Sequence, residues 1–244
     1  MQTKDLNTIS FEFENKLHTF MEEVLCAEDC YYTSKTIHVM ASENGAIHRA
    51  LNRNGFFWQR TINSLEVNLI MTIGRIFDSR NDSFSIFQLL HFCKTNKEVF
   101  SKYQLEKRKS KDLNPEQLRE YMKDKPEEIV SIKDLEEIES KVNFYKDIFN
   151  KKYIQIRSAI FGHKSLKIID KEDALFSKTS TDELEAMLDF LNRVSIAMWE
   201  LYNNGRNIKL NNTEPSHDFK NMIVQDVQDV LTRLIYDNGE EIKT

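Results

Sequence analysis

The sequence predicts an all-α fold, a helical bundle of long antiparallel helices that carries a charged helical insertion. Turn-forming residues are scarce: the 244 residues include only six Gly and three Pro, whereas a β-sandwich or barrel needs a turn about every ten residues. Apolar residues make up 40% of the chain and charged residues 30%. The apolar residues recur at three- and four-residue spacings, which is the periodicity of amphipathic helices.

The first third of the chain predicts two long helices. Residues 8–40 place apolar side chains at helical spacings, and the polar stretch SENG at 42–45 interrupts this pattern. A second helix is expected from about Ala46 to Phe77. The Asn54-Gly55 pair is a candidate kink within it, because Gly costs about 1 kcal/mol in a helix interior.

A short helix and a charged segment follow. Ser83 or Ser85 is the expected N-cap of the short helix IFQLLHF. Residues 102–134 are dense in charge and poor in core-forming residues, and Asn114-Pro115 marks a helix start within them. Acidic and basic residues are about equally frequent there, which favours an exposed insertion over an arm that binds nucleic acid.

The C-terminal part of the chain predicts three more helices. The first runs from about Ile132 to His163, with apolar residues along one face. A capping box, Ser180-x-x-Glu183, opens the second helix, and Gly205 ends it. The last helix spans about residues 216–237. We expect all 244 residues (1–244) to form a single domain.

Charge and cysteine content exclude several classes of protein. The formal net charge is −5, whereas a protein that wraps duplex DNA is usually basic, so any contact with nucleic acid must be a local patch. Cys26, Cys30 and Cys93 are too few for a disulfide framework and lack the paired spacing of a zinc site. We therefore predict free thiols, no metal and no cofactor. P-loop, dinucleotide-binding and serine-hydrolase glycine motifs are absent from the sequence.

The chain carries no predicted targeting or membrane segment. The start, MQTKDLNTISFEF, lacks the basic and apolar regions of a signal peptide. The most apolar window, LEVNLIMTIGRIF at 65–77, is interrupted by polar residues and is too short to span a bilayer. We expect a soluble, cytoplasmic protein that makes no membrane contact.

The stretch RSAIFGHKS at 157–165 is the strongest candidate site. Continuing the apolar helix face past Ala159 by four residues reaches His163, and Arg157 flanks that face. On a regular helix Arg157 and His163 stand about 120° apart. Gly162 can unwind the last turn to bring them together, or a second copy of the chain can complete the site. A local basic cluster surrounds them: Lys151, Lys152, Lys164 and Lys167.

These residue types suit cleavage of RNA. A guanidinium binds phosphate bidentately, and a His transfers protons near neutral pH. The ribose 2′-hydroxyl is an internal nucleophile, so the reaction needs no metal. The same residues also fit a simpler interpretation, in which His163 is a core residue and Arg157 belongs to a solvated helix end favoured by the helix dipole.

The motif resembles the signature of the HEPN superfamily, in which an Arg, a polar residue and a His lie at the end of a helix. Here Arg157 is followed by Ser158, and five residues separate Arg157 from His163. The segment MTIGRIFDSRNDSFSIFQLL at 71–90 is similar to the abortive-infection (Abi-U-like) HEPN group. The resemblance implies a HEPN-like bundle and a metal-independent endoribonuclease of phage defence or toxin action. Its catalytic residues would be Arg157 and His163, with Ser158 in support.

The resemblance also implies a homodimer, because HEPN ribonucleases form a composite cleft from two motifs. The expected partners are therefore RNA, a second copy of the chain, and a partner protein or antitoxin. The second hypothesis is a non-catalytic helical protein-interaction module, an inactive HEPN relative, which the acidic charge and the long helices favour. Arg75 and Asp78, three residues apart near a helix end, are interpreted as a structural ion pair.

Overall fold

The computed structural model describes residues 5–80, 82–158, 175, 177–210, 213–237 and 240–241. It confirms the all-α fold: long helices form an antiparallel bundle, and a two-residue ladder pairs the short strands near the C-terminus. In chain order the elements are α1 Leu6–Glu43, α2 Gly45–Arg53, α3 Gly55–Ile76, α4 Ile86–Thr95, a 3₁₀ turn Lys97–Phe100, α5 Lys102–Lys109, α6 Pro115–Met122, α7 Ile132–Lys152, α8 Thr181–Asn204, α9 Asp218–Arg233, β1 Tyr236–Asp237 and β2 Glu240–Glu241.

The predicted breaks in the first third of the chain are confirmed. Asn44 separates α1 from α2, and its side chain accepts hydrogen bonds from the backbone N–H groups of Ala46 and Ile47. The predicted kink at Asn54-Gly55 is a complete break, because α2 ends at Arg53 and α3 begins at Gly55. Side-chain capping therefore sets the boundary at Asn44, whereas Asn54 makes no side-chain cap hydrogen bond.

Two predicted caps form differently from the expectation. Ser85 and Ser180 occupy the N-cap positions of α4 and α8, but neither side chain makes a cap hydrogen bond. The capping box predicted at Ser180 is therefore wrong. A reciprocal box forms instead at α6, where Asn114 accepts from the Gln117 N–H and the Gln117 side chain accepts from the Asn114 N–H.

The helix predicted from Ile132 to His163 ends earlier, at Lys152. The ring of Tyr153 is buried, and its hydroxyl donates to the carbonyl of Ser180 (3.1 Å) and accepts from the Ser180 N–H (3.2 Å). This anchor fixes Tyr153 in a non-ideal helical conformation at the end of α7. The chain then continues through a further helical turn, in which residues 156–158 are π-helical.

Helix α1 lies at the centre of the bundle and packs against α3, α8 and α9. The α1–α3 pair is antiparallel, because His38 near the end of α1 pairs with Glu66 in the middle of α3, whereas Glu23 in the middle of α1 pairs with Arg75 at the end of α3. The buried face of α1 follows the predicted helical period and includes Phe13, Leu17, Phe20, Val24, Ala27 and Tyr31. The end of α3, which carries part of the candidate site, is thereby held against the middle of α1.

Most residues of 102–134 are exposed or half-exposed, and a few anchor them to the bundle. Leu105 is completely buried and lies against Gly205, whose left-handed backbone (φ 57°) ends α8 as the sequence predicts. Arg108 donates to the carbonyls of Val99 (3.0 Å) and Tyr202 (2.9 Å). The segment is thus tied to the C-terminal end of α8.

Candidate functional site

Arg157 lies directly across Gly74 of α3. A Cβ atom built on Gly74 would be 2.5 Å from Arg157 Cδ, 2.6 Å from Nε and 2.9 Å from Cζ. Such distances are shorter than any ordinary Cβ contact, so only glycine leaves room for this side chain. Gly costs about 1 kcal/mol in a helix interior, and the close approach of Arg157 gives Gly74 a packing role that offsets this cost.

A hydrogen bond to the residue just after α7 holds the backbone of Arg157. Its N–H donates to the carbonyl of Tyr153 (2.9 Å), and the preceding residue, Ile156, is buried in the bundle. The π-helical conformation of residues 156–158 is rare in proteins and occurs frequently at functional sites. Ser158 is exposed and donates its hydroxyl to the carbonyl of Ile154 (2.8 Å). In this arrangement Ser158 stabilises the turn that carries Arg157.

Asp78, in the loop after α3, pairs with Arg80 and lies within the electrostatic influence of Arg157. Arg80 donates its backbone N–H to Asp78 Oδ1 (3.0 Å), and Arg80 Nη2 lies 2.8 Å from Asp78 Oδ2. Partial burial raises the pKa of Asp78, but the hydrogen bonds and charge of Arg80, together with the charge of Arg157, outweigh burial and hold this pKa below its ordinary value. Asp78 is therefore an anion that interacts with two guanidinium groups.

The predicted ion pair between Arg75 and Asp78 is wrong, because each residue has another partner. Arg75 donates to Glu23 Oε2 through Nε (3.1 Å) and Nη2 (2.8 Å), and also to the Thr72 hydroxyl (2.9 Å). Since α3 ends at Ile76, Asp78 has left the helix on which Arg75 faces α1. The i, i+3 neighbour relation on which the prediction relied ends with the helix.

The other predicted site residues fall into two groups. Lys151 is exposed, whereas Lys152 forms an ion pair with Glu183 (2.5 Å) that ties α7 to α8. The remaining ones, including the candidate acid–base residue, lie outside the described residues: Gly162, His163, Lys164 and Lys167. The structure thus describes Arg157 and Ser158 of the predicted motif, but not His163.

The cysteines are free thiols. Asn68 Nδ2 lies 3.5 Å from Cys26 Sγ and 3.3 Å from Cys30 Sγ, and burial raises the pKa of Cys30 to about 11. In the described ranges no group of three or more His, Cys, Asp or Glu side chains is arranged to hold a metal ion. Across the same residues, no helix has both the length and the apolar character of a bilayer span.

GRIFD and RSAIFGH are separate features of the sequence, and their patterns do not predict that Gly74 and Arg157 meet. A partial signal was present in MTIGRIF, because a glycine inside an otherwise apolar helix indicates a close approach by another group. What the sequence did not indicate was the identity of that group. The structure shows that it is Arg157.

An antiparallel helical bundle with an arginine held at a helical turn against its neighbour fits the class that the motif predicts, the HEPN proteins. The family model HEPN_AbiU2, described as AbiU2, matches residues 11–232. The chain therefore belongs to the AbiU2 family of HEPN proteins, and the predicted resemblance to the Abi-U-like group is confirmed. No curated protein and no solved structure matches the chain.

Proposed function

We propose that this AbiU2-family protein is a metal-independent endoribonuclease of phage defence or toxin action. The observation that carries the proposal is the position of Arg157, which is half-buried across Gly74 and interacts with Asp78. A surface arginine of a helix end needs no glycine beneath it and no such partner. Family membership supplies the context, because HEPN proteins carry an Arg and a His at this place in the motif.

The proposed chemistry begins with binding of a phosphodiester by Arg157. Its guanidinium donates two parallel hydrogen bonds to the non-bridging oxygens and stabilises the negative charge that develops on the phosphorane. The ribose 2′-oxygen attacks the adjacent phosphorus, and the bond from phosphorus to the 5′-oxygen breaks. His163 serves as the acid–base residue that accepts the 2′ proton and returns a proton to the leaving 5′-oxygen. The products are a 2′,3′-cyclic phosphate and a 5′-hydroxyl.

The proposed active form is a homodimer. On a regular helix Arg157 and His163 stand about 120° apart, and a two-fold axis brings the same segment of each chain to one cleft. RNA affinity should then fall steeply with salt, since phosphate contacts release counterions. The dimer itself, if held by apolar residues, should persist. Light scattering at low and high salt tests this, and a monomer at every salt concentration contradicts it.

The enzymatic proposal is tested with purified protein treated with EDTA. Single-stranded RNA or tRNA should be cleaved to products with 2′,3′-cyclic phosphate ends. Arg157→Ala and His163→Ala should abolish cleavage with the fold intact. Arg206→Ala is the matched control, because Arg206 is an exposed arginine that pairs with Glu200 (3.3 Å) away from the site. Equal trace activity in the wild type and in all three variants contradicts the proposal.

The second candidate function is a non-catalytic interaction module that binds a partner protein or antitoxin. It is favoured by two adjacent aromatic side chains at the start of α3: Phe56 is 86% exposed and Phe57 63% exposed. Exposed aromatic residues of this kind often anchor protein interfaces. Overexpression in a bacterium separates the two functions. Toxicity that disappears in His163→Ala supports the enzyme, whereas toxicity that persists in His163→Ala and disappears in Phe56→Ser/Phe57→Ser supports the module.

A further inference from the structure

A cavity of about 280 Å³ lies between α1, the end of α3 and the start of α4. Its apolar wall includes Phe20 and Phe84, and its polar wall includes Arg75, Asp78 and Arg80. Its volume is just below the usual range for drug-sized ligands, so it suits a small group. Most residues that line the cavity follow Gly74, the residue against which Arg157 packs, in the chain.

Ser85 lines the same cavity and has an unusual hydroxyl. The residue is 2% exposed, and its Oγ has no hydrogen-bond partner among the described residues. A serine at an N-cap position normally accepts a hydrogen bond from the first turn of its helix, but Ser85 does not. A buried hydroxyl without a partner is unfavourable. A ligand in the cavity to which the buried hydroxyl turns for a hydrogen bond would relieve this.

The charges around the cavity do not describe a simple anion site. Two cations, Arg75 and Arg80, are balanced by two anions, Glu23 and Asp78, with which they pair. The wall therefore offers donors and acceptors side by side without a net charge. A nucleobase is neutral and planar, has both donors and acceptors along its edge, and stacks on aromatic rings and on guanidinium planes. Phe84 and the two arginines provide such surfaces.

The cavity and the phosphate-binding arginine share one helix end. Gly74 lies under Arg157, and the next residues of the chain, Arg75 and Asp78 among them, line the cavity. Arg75 follows Gly74 directly in α3, and Asp78 lies in the loop just after the helix ends at Ile76. Asp78 belongs to both places, because it lines the cavity and its charge interacts with that of Arg157. A nucleotide whose phosphate contacts Arg157 therefore has its base within reach of the cavity.

We propose that this cavity binds the base of one nucleotide of the RNA substrate, next to the phosphate held by Arg157, and thereby determines base preference. The proposal rests on the proposed ribonuclease function. It adds a specificity pocket formed by α1, α3 and α4 outside the Arg157–His163 motif. Ser85 supplies a hydrogen bond to the base edge, and Phe84 supplies a stacking surface.

Two variants test the pocket with matched controls. Thr19 is exposed at the rim on α1, and its hydroxyl donates back to the carbonyl of Asn15 (3.0 Å). Thr19→Phe should close the cavity. The control is Thr95→Phe, because Thr95 is also exposed and donates back to the carbonyl of His91 (2.9 Å), outside the residues that line the cavity. Ser85→Ala removes the unpartnered hydroxyl, and Ser195→Ala controls for loss of a buried helical serine.

The first measurement is cleavage of four oligoribonucleotides that differ only in the base beside the scissile phosphate. The wild type and Thr95→Phe should share one base preference, and Thr19→Phe and Ser85→Ala should lose it. The second measurement is binding of the four nucleoside monophosphates, followed by calorimetry. Thr19→Phe should weaken this binding by about tenfold, the size expected for loss of a base–aromatic stack, while Thr95→Phe and Ser195→Ala should leave it unchanged.

The two measurements separate the pocket from the reaction. If the wild type cleaves no RNA, the proposed function fails, but binding of mononucleotides that is lost in Thr19→Phe still supports a base pocket. If the wild type cleaves RNA without base preference, or if Thr19→Phe matches Thr95→Phe in both measurements, the pocket proposal is overturned. Binding of mononucleotides that Thr19→Phe does not affect also overturns it.

Discussion

Arg157 lies across Gly74, and the charge of Arg157 helps to lower the pKa of Asp78, four residues further along the chain from Gly74. The missing side chain at position 74 lets the aliphatic part of Arg157 contact the surface of α3. The carboxylate at position 78 then opposes its charge. A guanidinium positioned in this way loses less side-chain entropy on binding a phosphate than a free one. The first two predictions follow from these contacts.

Gly74→Ala should separate activity from stability. The new Cβ would overlap Arg157 Cδ, Nε and Cζ, which belong to a flexible side chain and can move away. The helix itself gains from the change by up to about 1 kcal/mol. We expect RNA cleavage to fall by about 100-fold, as for a misplaced catalytic group, while the melting temperature stays the same or rises. Gly55→Ala is the control, because no atom lies within 4 Å of a Cβ there. If Gly74→Ala cleaves RNA as well as the wild type, Gly74 does not position Arg157 for the reaction.

Asp78→Asn should lower both cleavage and stability. Only 10% of the Asp78 side chain is exposed, and its charge interacts with Arg80 and Arg157. Because the pKa of Asp78 is lowered in the folded state, its charge stabilises the fold above the ordinary value near 4, and this contribution is lost as the pH falls through the lowered pKa. The stability difference from wild type, measured by urea unfolding, should therefore be present at pH 7 and shrink in acid.

Arg80→Gln is the companion variant to Asp78→Asn. The Arg80 side chain is 69% exposed, so solvent screens its pair with Asp78, which contributes little to stability. This variant should keep the interaction between Asp78 and Arg157 and retain most of the cleavage activity. Equal loss of activity in the two variants would show that the loop, and not the Asp78 charge, positions Arg157.

Glu28→Gln should change how stability depends on pH. Glu28 is buried beside Asn192, whose Nδ2 lies 2.9 Å from Glu28 Oε1. Burial raises the pKa of Glu28 to about 7, an effect that the hydrogen bond from Asn192 and the charge of Lys220 oppose and that the charge of Asp189 reinforces. A raised pKa means that protonated Glu28 favours the fold in acid, and that this contribution is lost as the pH rises through about 7.

We therefore expect Glu28→Gln and the wild type to be similar near pH 5. At pH 8 the variant should be more stable by about 1–3 kcal/mol. The difference between their free energies of unfolding, measured in urea across this pH range, reports on Glu28 alone. A difference that does not change with pH would mean that Glu28 is charged throughout the range.

Gly205→Ala should destabilise the bundle. Gly205 ends α8 at φ 57°, in the left-handed region that residues with a side chain rarely adopt, and a Cβ there would overlap Leu105 Cδ2. The two effects together should cost about 1–3 kcal/mol, measured as a lower urea midpoint. Gly45→Ala is the control, because its Cβ would make only an ordinary contact, 3.5 Å from Arg49 Nη1. Equal midpoints for the two variants contradict the assigned role of Gly205.

The candidate site was predicted only in part. The motif predicts Arg157 and Ser158 as site residues, and the glycine in MTIGRIF indicates a packing role for position 74. The role of Arg80 as partner of Asp78 was not predictable, because it depends on the path of the loop after α3. The unpartnered hydroxyl of Ser85 was not predictable either, because a serine just before an apolar helix is expected to cap that helix.

The sequence by itself determined the helical class, the breaks at Asn44, Asn54 and Gly205, and the family to which the chain belongs. These features depend on interactions within one or two helical turns, which neighbouring residues specify. Only the tertiary structure decided that α7 ends at Lys152 and that Arg157 rests on Gly74. Both outcomes depend on which helices lie side by side, because a side chain finds its partners across the bundle as well as along its own helix.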